Sequence, residues 1–298
     1  MANLLDLRRR IKSVKNTQQI TKAMKMLSAV NLRRAQERVT NARPFAAKMT
    51  EVLTELAKYT DENYHHPLLD VRGDSRYLLV IITADKGLAG AFNANLIKAS
   101  QSFLKEHVGK TIELLAVGRK GRDFYRRRSV QIAGEYIGLT GKGRVSYTEA
   151  VELAEDIMRR FREDDSLDKV FIIYNEFKTV LQQRVVVDQL LPVARAEEET
   201  QDDAQAQPAE ANIEYLYEQP PAEIFGQLLP RLIETRVFRA LLESIASEQG
   251  ARMTAMDAAS KNAGDLISAL TLNMNRIRQA AITTEIIEVV SGSAAAQS

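Results

Sequence analysis

The chain has 298 residues, 45% hydrophobic and 27% charged, with no cysteine. That composition is globular, with enough apolar material for a sizeable core, and it excludes disulfides, thiolate metal sites and thiol switches. No run of about 18 apolar residues exists, so nothing here is expected to span a bilayer or to serve as a secretory h-region. The formal net charge is only +2, but residues 1–43 carry eleven Lys or Arg against Asp6 and Glu37, a local net charge of +9. A basic rod of this kind suits nucleic acid or a carboxylate-lined protein equally well. Its continuous helical pattern argues against a cleaved transit peptide.

The first stretch, to Arg43, and the last, from Arg231, contain no proline. Each is far longer than the roughly 11–12 residues of a mean helix, and the second, to about Val290, would reach on the order of 90 Å at 1.5 Å per residue. Steps of three and four from Leu4 give Leu7, Ile11, Val14, Gln18, Thr21, Lys25, Ser28, Leu32, Ala35, Val39 and Ala42, a heptad seam with a polar middle. From Ile245 the same steps give Gln249, Arg252, Met256, Ala259, Ala263, Leu266, Leu270, Asn273, Ile277, Ala280, Thr284 and Ile287. A 3.5-residue period with small residues predicts a left-handed, antiparallel coiled coil within one chain. Ile20, Met24 and Leu27 form a second apolar row off the seam, pointing to an outside partner. Pro44 should kink or end the first helix, although Phe45–Tyr59 can resume it.

The middle of the chain alternates strands with helices. Tyr77–Thr83, Thr111–Val117 and Lys169–Tyr174 read as buried strands, with helices over Asn93–Glu106, Arg119–Arg127 and Tyr147–Arg162 between them. Val180–Leu190 alternates and reads as an edge strand. This order predicts a mostly parallel, Rossmann-like sheet covered on both faces. Residues 194–211 are acidic, lack aromatics and include Pro208, the composition of a linker. Pro220-Pro221 marks the start of the last helix, in which Pro230 should introduce a kink. The resulting organisation is an N-terminal coiled-coil helix over 1–60, an α/β domain over 76–193, an acidic linker over 194–212 and a C-terminal coiled-coil helix over 221–290.

Chemistry is sparse. The turn Thr83–Asn93 is glycine-rich and follows a strand, the setting in which backbone N–H groups hold phosphate. It lacks the Gly-Lys-Ser/Thr of a Walker loop and the full dinucleotide fingerprint, so a structural turn is the expectation. Gly118–Arg122 and Gly141–Arg144 read as solvated basic loops. His65, His66 and His107 have no metal-site spacing, and no Gly-x-Ser-x-Gly or carboxylate pair is present. No catalytic, cofactor-binding or metal-binding residue is assigned. A nucleic-acid-binding or scaffold coiled coil is the alternative function, disfavoured because the cations are not interleaved with aromatics. An α/β enzyme with helical arms would need a constellation that the centre lacks.

The residues RIKSVKNTQQITKAMKML, Arg10–Leu27, resemble the amino-terminal helix of the γ subunit of F-type ATP synthase. SEQGARMTAMDAASKNAGDLI, Ser247–Ile267, and RIRQAAITTEIIEVVSGSAA, Arg276–Ala295, resemble that family's carboxyl-terminal signature. The DKGLAGAFN turn and the YLYE segment occupy comparable places, so the resemblance covers essentially the whole chain. It implies a non-catalytic rotor stalk without cofactor, turning inside a ring of three α and three β subunits. With the ε subunit, its foot would rest on the c ring. The implied role is to couple proton flow through that ring to ATP synthesis or hydrolysis on the β subunits. Membrane association at the cytoplasmic face would be peripheral, through the complex, and no nucleic acid would be involved. By the same resemblance Arg278, Gln279 and Thr283 match positions that engage a β-subunit loop, while Met24, with Lys22 and Lys25 beside it, faces the acidic lever of β. Tyr215, Tyr217 and Glu218 match the region near ε and the c ring. Ala89 stands where the family has a small polar residue or cysteine, and no regulatory cysteine insertion is present.

Overall fold

The computed structural model describes residues 4–58, 64–128, 130–180, 182–193 and 220–296. The acidic linker and Tyr215, Tyr217 and Glu218 lie outside the described residues. The chain forms two compact units, one of residues 1–29 with 252–298, the other of residues 30–251. Two helices contribute to both: α1 (Leu4–Lys58) and α5 (Pro221–Ala296).

The first unit is a helix pair. Gln18 Nε2 donates to the Ser260 carbonyl (3.2 Å), Thr21 and Ser260 hydroxyls meet at 2.6 Å, and Lys25 Nζ reaches Asp257 (2.6 Å). Rising numbers on one helix meet falling numbers on the other, so the pair is antiparallel. On α1 every expected seam position from Leu4 to Ser28 is buried or half-buried, and Ile20 and Leu27 are exposed as an off-seam row should be.

On α5 the seam has the expected period but a different phase. Met256, Ala263, Leu270 and Ile277 face inward as expected, but the residues between them are Ser260, Ile267, Met274 and Ala281. Leu266, Asn273, Ala280, Thr284 and Ile287 are exposed instead, Leu266 by 48%. Both phases share every seventh residue, and adjacent pairs such as Leu266-Ile267 and Ala280-Ala281 are equally apolar, so spacing alone does not choose. Packing does: Ser260 reaches the hydroxyl of Thr21, whereas Ala259 in that place would leave a buried hydroxyl with one partner fewer.

In the second unit a five-stranded sheet runs in the order β3-β2-β1-β4-β5. The strands are β1 (Arg76–Ile82), β2 (Thr111–Val117), β3 (Gln131–Tyr136), β4 (Lys169–Phe177) and β5 (Gln183–Leu191). The first four are parallel and β5 is an antiparallel edge. Strand β3 was not among the expected strands: it is a half-exposed edge of six residues broken by Gly134, with no apolar run to announce it. Tyr77, Leu79 and Ile81 pack with Phe92, Leu96 and Phe103 of α2 (Phe92–Glu106) and Tyr125 of α3 (Arg119–Tyr125). The alternate set, Leu78, Val80 and Ile82, is at most 1% exposed, so both faces are covered. Helix α4 (Tyr147–Glu163) buries Ala150, Leu153, Ala154, Ile157, Met158 and Phe161, a single stripe at helical spacing, and opens with a capping box between Ser146 and Glu149.

The helix α1 does not end at Pro44 but continues to Lys58. A proline inside a helix removes one donor, and the following turns compensate by burying Leu53 and Leu56. Pro230 likewise lies inside α5. The register of β4 matters below: β1 pairs with it only as far as Ile173, while β4 runs on to Phe177.

Candidate protein-interaction surface

Two places can be asked for function: the glycine-rich turns at the carboxyl ends of the strands, and the surface of the helix pair. The first is where a doubly wound sheet normally holds a ligand. Here that place is filled from within. The carboxylate of Asp85, on the turn after β1, accepts backbone N–H bonds from Arg119 (3.0 Å), Gly138 (3.1 Å) and Gly141 (2.7 Å), and the Thr140 hydroxyl at 3.1 Å. Thr83 Oγ1 takes the N–H of Gly121 at 2.8 Å. The donors that could cradle a phosphate are thus satisfied by the chain's own carboxylate. Gly118, at φ 92°, is required there, since a Cβ would lie 2.1 Å from the Thr83 carbonyl oxygen. Among the described residues no cluster of acids and histidines is placed to hold a metal ion, and no helix is long and apolar enough to cross a membrane.

The helix pair is different. Its interior mixes apolar residues such as Leu7 and Met256 with polar ones, Thr21 and Ser28 on α1 and Arg252 and Ser260 on α5, all no more than 8% exposed. Its outer surface carries both cations and aliphatic side chains. Arg8, Arg9, Arg10, Lys12, Lys15 and Lys22 are exposed along α1, beside Leu5, Ile20, Met26 and Leu27. Beyond Ala281 every α5 residue to Gly292 is exposed, including Ile282, Ile286, Ile287, Val289 and Val290. A run of exposed aliphatics on a described helix marks a surface made to be covered.

The residues singled out from sequence fall into two groups on this unit. Lys22 is exposed, and Met24 and Lys25 are half-buried. Lys25 is held by Asp257, which also pairs with Lys261 at 3.2 Å. Hydrogen bonds from Lys25 and then Lys261 hold the Asp257 carboxyl below the usual carboxylate range. Arg278, Gln279 and Thr283 are exposed on adjoining rows of α5, Thr283 bonding back to the Gln279 carbonyl. Since Lys22 and Lys25 lie beside residues 257–260, the two groups are roughly 30 Å apart along the pair at 1.5 Å per residue. Sequence reasoning missed the outward role of Ile287, which it placed in the seam. The signal was available in Ile286-Ile287 and Val289-Val290, two apolar doublets too close together for one seam to bury.

A family model described as ATP synthase matches residues 3–296. The ATP synthase gamma chain of Solibacter usitatus is 51% identical over 300 residues, covering 100% of both chains. The chain belongs to the ATP synthase γ family. The gamma chain of Geobacter sp. strain M21 is 50% identical over 98% of each chain. Among solved structures, a chain from the central stalk and c ring of the Tetrahymena thermophila mitochondrial ATP synthase matches with a TM-score of 0.60 and 28% identity. It covers 81% of this chain and 99% of that one. A chain of the Euglena gracilis mitochondrial enzyme matches in fold with a TM-score of 0.67 at 20% identity over 98% and 94%. As a γ chain the protein is a non-catalytic rotor subunit of a membrane-associated complex. The nucleic-acid alternative is not supported: the cations of α1 belong to a γ helix.

Proposed function

We propose that the helix pair is the part of this γ chain that turns against a ring of three α and three β subunits. Lys22, Met24 and Lys25 make one level of contact, and Arg278, Gln279 and Thr283 another. Tyr215, Tyr217 and Glu218 are assigned to contact with ε and the c ring, placing the complex peripherally at the cytoplasmic face through that ring. Rotation then couples proton flow through the ring to ATP synthesis or hydrolysis on β.

The observation that carries this reading is the contrast between the two surfaces of the helix pair. The seam is tied by hydrogen bonds and small residues, while cations and short aliphatic patches are turned outward. A rotor in a threefold ring meets three similar surfaces in turn, so a deep apolar fit to any one of them would trap it. Charge acts over several ångströms and tolerates a change of angle, which apolar interlocking does not. Differential contact around the ring biases each β subunit to a different conformation without the γ chain binding nucleotide.

Co-expression with α and β subunits tests the assignment. The expected result is a stable complex with ATPase activity that incorporates this chain, and that loses affinity for it when Arg278 and Gln279 are replaced by alanine. Recovery of the α and β subunits without the γ chain would overturn it.

A further inference from the structure

Strand β4 runs four residues, Tyr174–Phe177, past its last pairing with β1, leaving a stretch of open edge inside the second unit. On an extended strand alternate residues direct N–H and C=O to the same side. All four groups that Asn175 and Phe177 present to this edge are met by helix side chains. The Asn175 N–H donates to Ser244 Oγ (3.3 Å), and Ser247 Oγ donates to the Asn175 carbonyl (3.2 Å). The Phe177 N–H donates to Glu243 Oε2 (2.9 Å), and Arg43 Nη2 donates to the Phe177 carbonyl (3.2 Å). Arg43 then closes the set with two bonds to Glu243 Oε1, at 2.9 and 3.2 Å. Side chains of α5 and α1 thus occupy the place of a missing strand.

Glu243 is fully buried, and every residue of α5 from Ala240 to Gly250 is buried as well. Apolar burial would be enough to hold a helix against a sheet, yet it is non-directional. Hydrogen bonds to a backbone are directional and fix both rotation and register. The rotor reading above supplies a use for that property, and the following inference rests on it. We propose that the Arg43–Glu243–Ser244–Ser247 set is the torque joint of the chain: the point at which rotational load carried in α1 and α5 passes into the α/β domain. Helix α5 is tied to Asn175 and Phe177, and α1, through Arg43, to Phe177 and to Glu243, so neither can roll over the sheet without breaking several bonds together. Arg43, Glu243, Ser244 and Ser247 are positioning residues in this scheme and contact no substrate.

The test uses the assembled complex, held by its β subunits, with a bead attached through Val108→Cys on the α/β domain. Val108 is 83% exposed and the chain has no other cysteine. In the Ser244→Ala/Ser247→Ala variant and in Arg43→Ala, the angular variance of the bead during pauses should rise about twofold as hydrogen bonds are lost, with the ATP hydrolysis rate unchanged. Arg43→Lys keeps the charge but not the fork, and should fall between. The serine pair carries the test should Arg43→Ala fail to assemble, since alanine fits the space of serine. Wild-type variance in the assembled serine variant would overturn the joint while leaving the rotor reading intact. A bead that does not turn in the complex carrying Val108→Cys alone would overturn the rotor reading, and the joint with it.

Discussion

A single carboxylate fills the place at the carboxyl ends of the strands where a doubly wound sheet would hold a ligand. Asp85 gathers N–H groups from two separate turns, that of Arg119 and that of Gly138 and Gly141. Asp85→Ala strands those donors in a buried place, and the expected cost is about 3 kcal/mol, read from urea unfolding by circular dichroism. Asp85→Asn keeps one acceptor oxygen and should cost about half as much. The alkaline limb of stability has a residue of its own. Burial on β4 pushes the Tyr174 hydroxyl up from 10.0 to about 12, opposed by Arg239 and assisted by Asp188. Its folded form keeps the proton where the unfolded chain has lost it, so its contribution is complete below pH 10.0 and is lost as pH rises towards about 12. Tyr174→Phe should therefore flatten the fall in stability across that interval, measured as denaturation midpoints at successive pH values.

At the scale of elements, the polar seam can be taken apart pairwise. Thr21 and Ser260 share a buried bond, and Thr21 also reaches the Gln18 carbonyl. Thr21→Val or Ser260→Ala alone leaves the partner hydroxyl poorly satisfied and should cost about 1 kcal/mol. The double variant should recover much of that, and a thermal-unfolding cycle with a coupling near zero would contradict the bond. The elements themselves were largely legible. The α1 seam and three of the four parallel strands announce themselves through periodicity and unbroken apolar runs such as YLLVII. What escaped has physical causes. β3 is an edge strand whose pattern is interrupted by glycine. The phase of α5 was ambiguous because Leu266-Ile267 offers two equivalent choices, and only the partner helix selects between them. The edge of β4 depends on where β1 stops, and the Asp85 knot on turns more than thirty residues away, so neither is written in any local window.

For the molecule as a whole, the chain separates two kinds of contact. Directional bonds are buried, as at Phe177 and Asn175, while the exposed surface is charged or thinly apolar, as at Lys22 and Ile286. If charge attraction to an acidic lever is the working contact at the Lys22 level, its sign should matter more than its shape. Lys22→Glu is the clean probe, because Lys22 is exposed and its reversal disturbs nothing in the seam. Lys25→Glu is not equivalent: it also sets a second carboxylate against Asp257 and removes one of that residue's two lysine partners. In membrane vesicles carrying the assembled complex, Lys22→Glu should lower proton pumping per ATP hydrolysed severalfold while hydrolysis persists. The deficit should be largest at low ionic strength and shrink as the screening length falls to about 3 Å near 1 M salt. Coupling identical to wild type at every salt concentration would assign the contact to Met24 and its aliphatic neighbours instead of to charge.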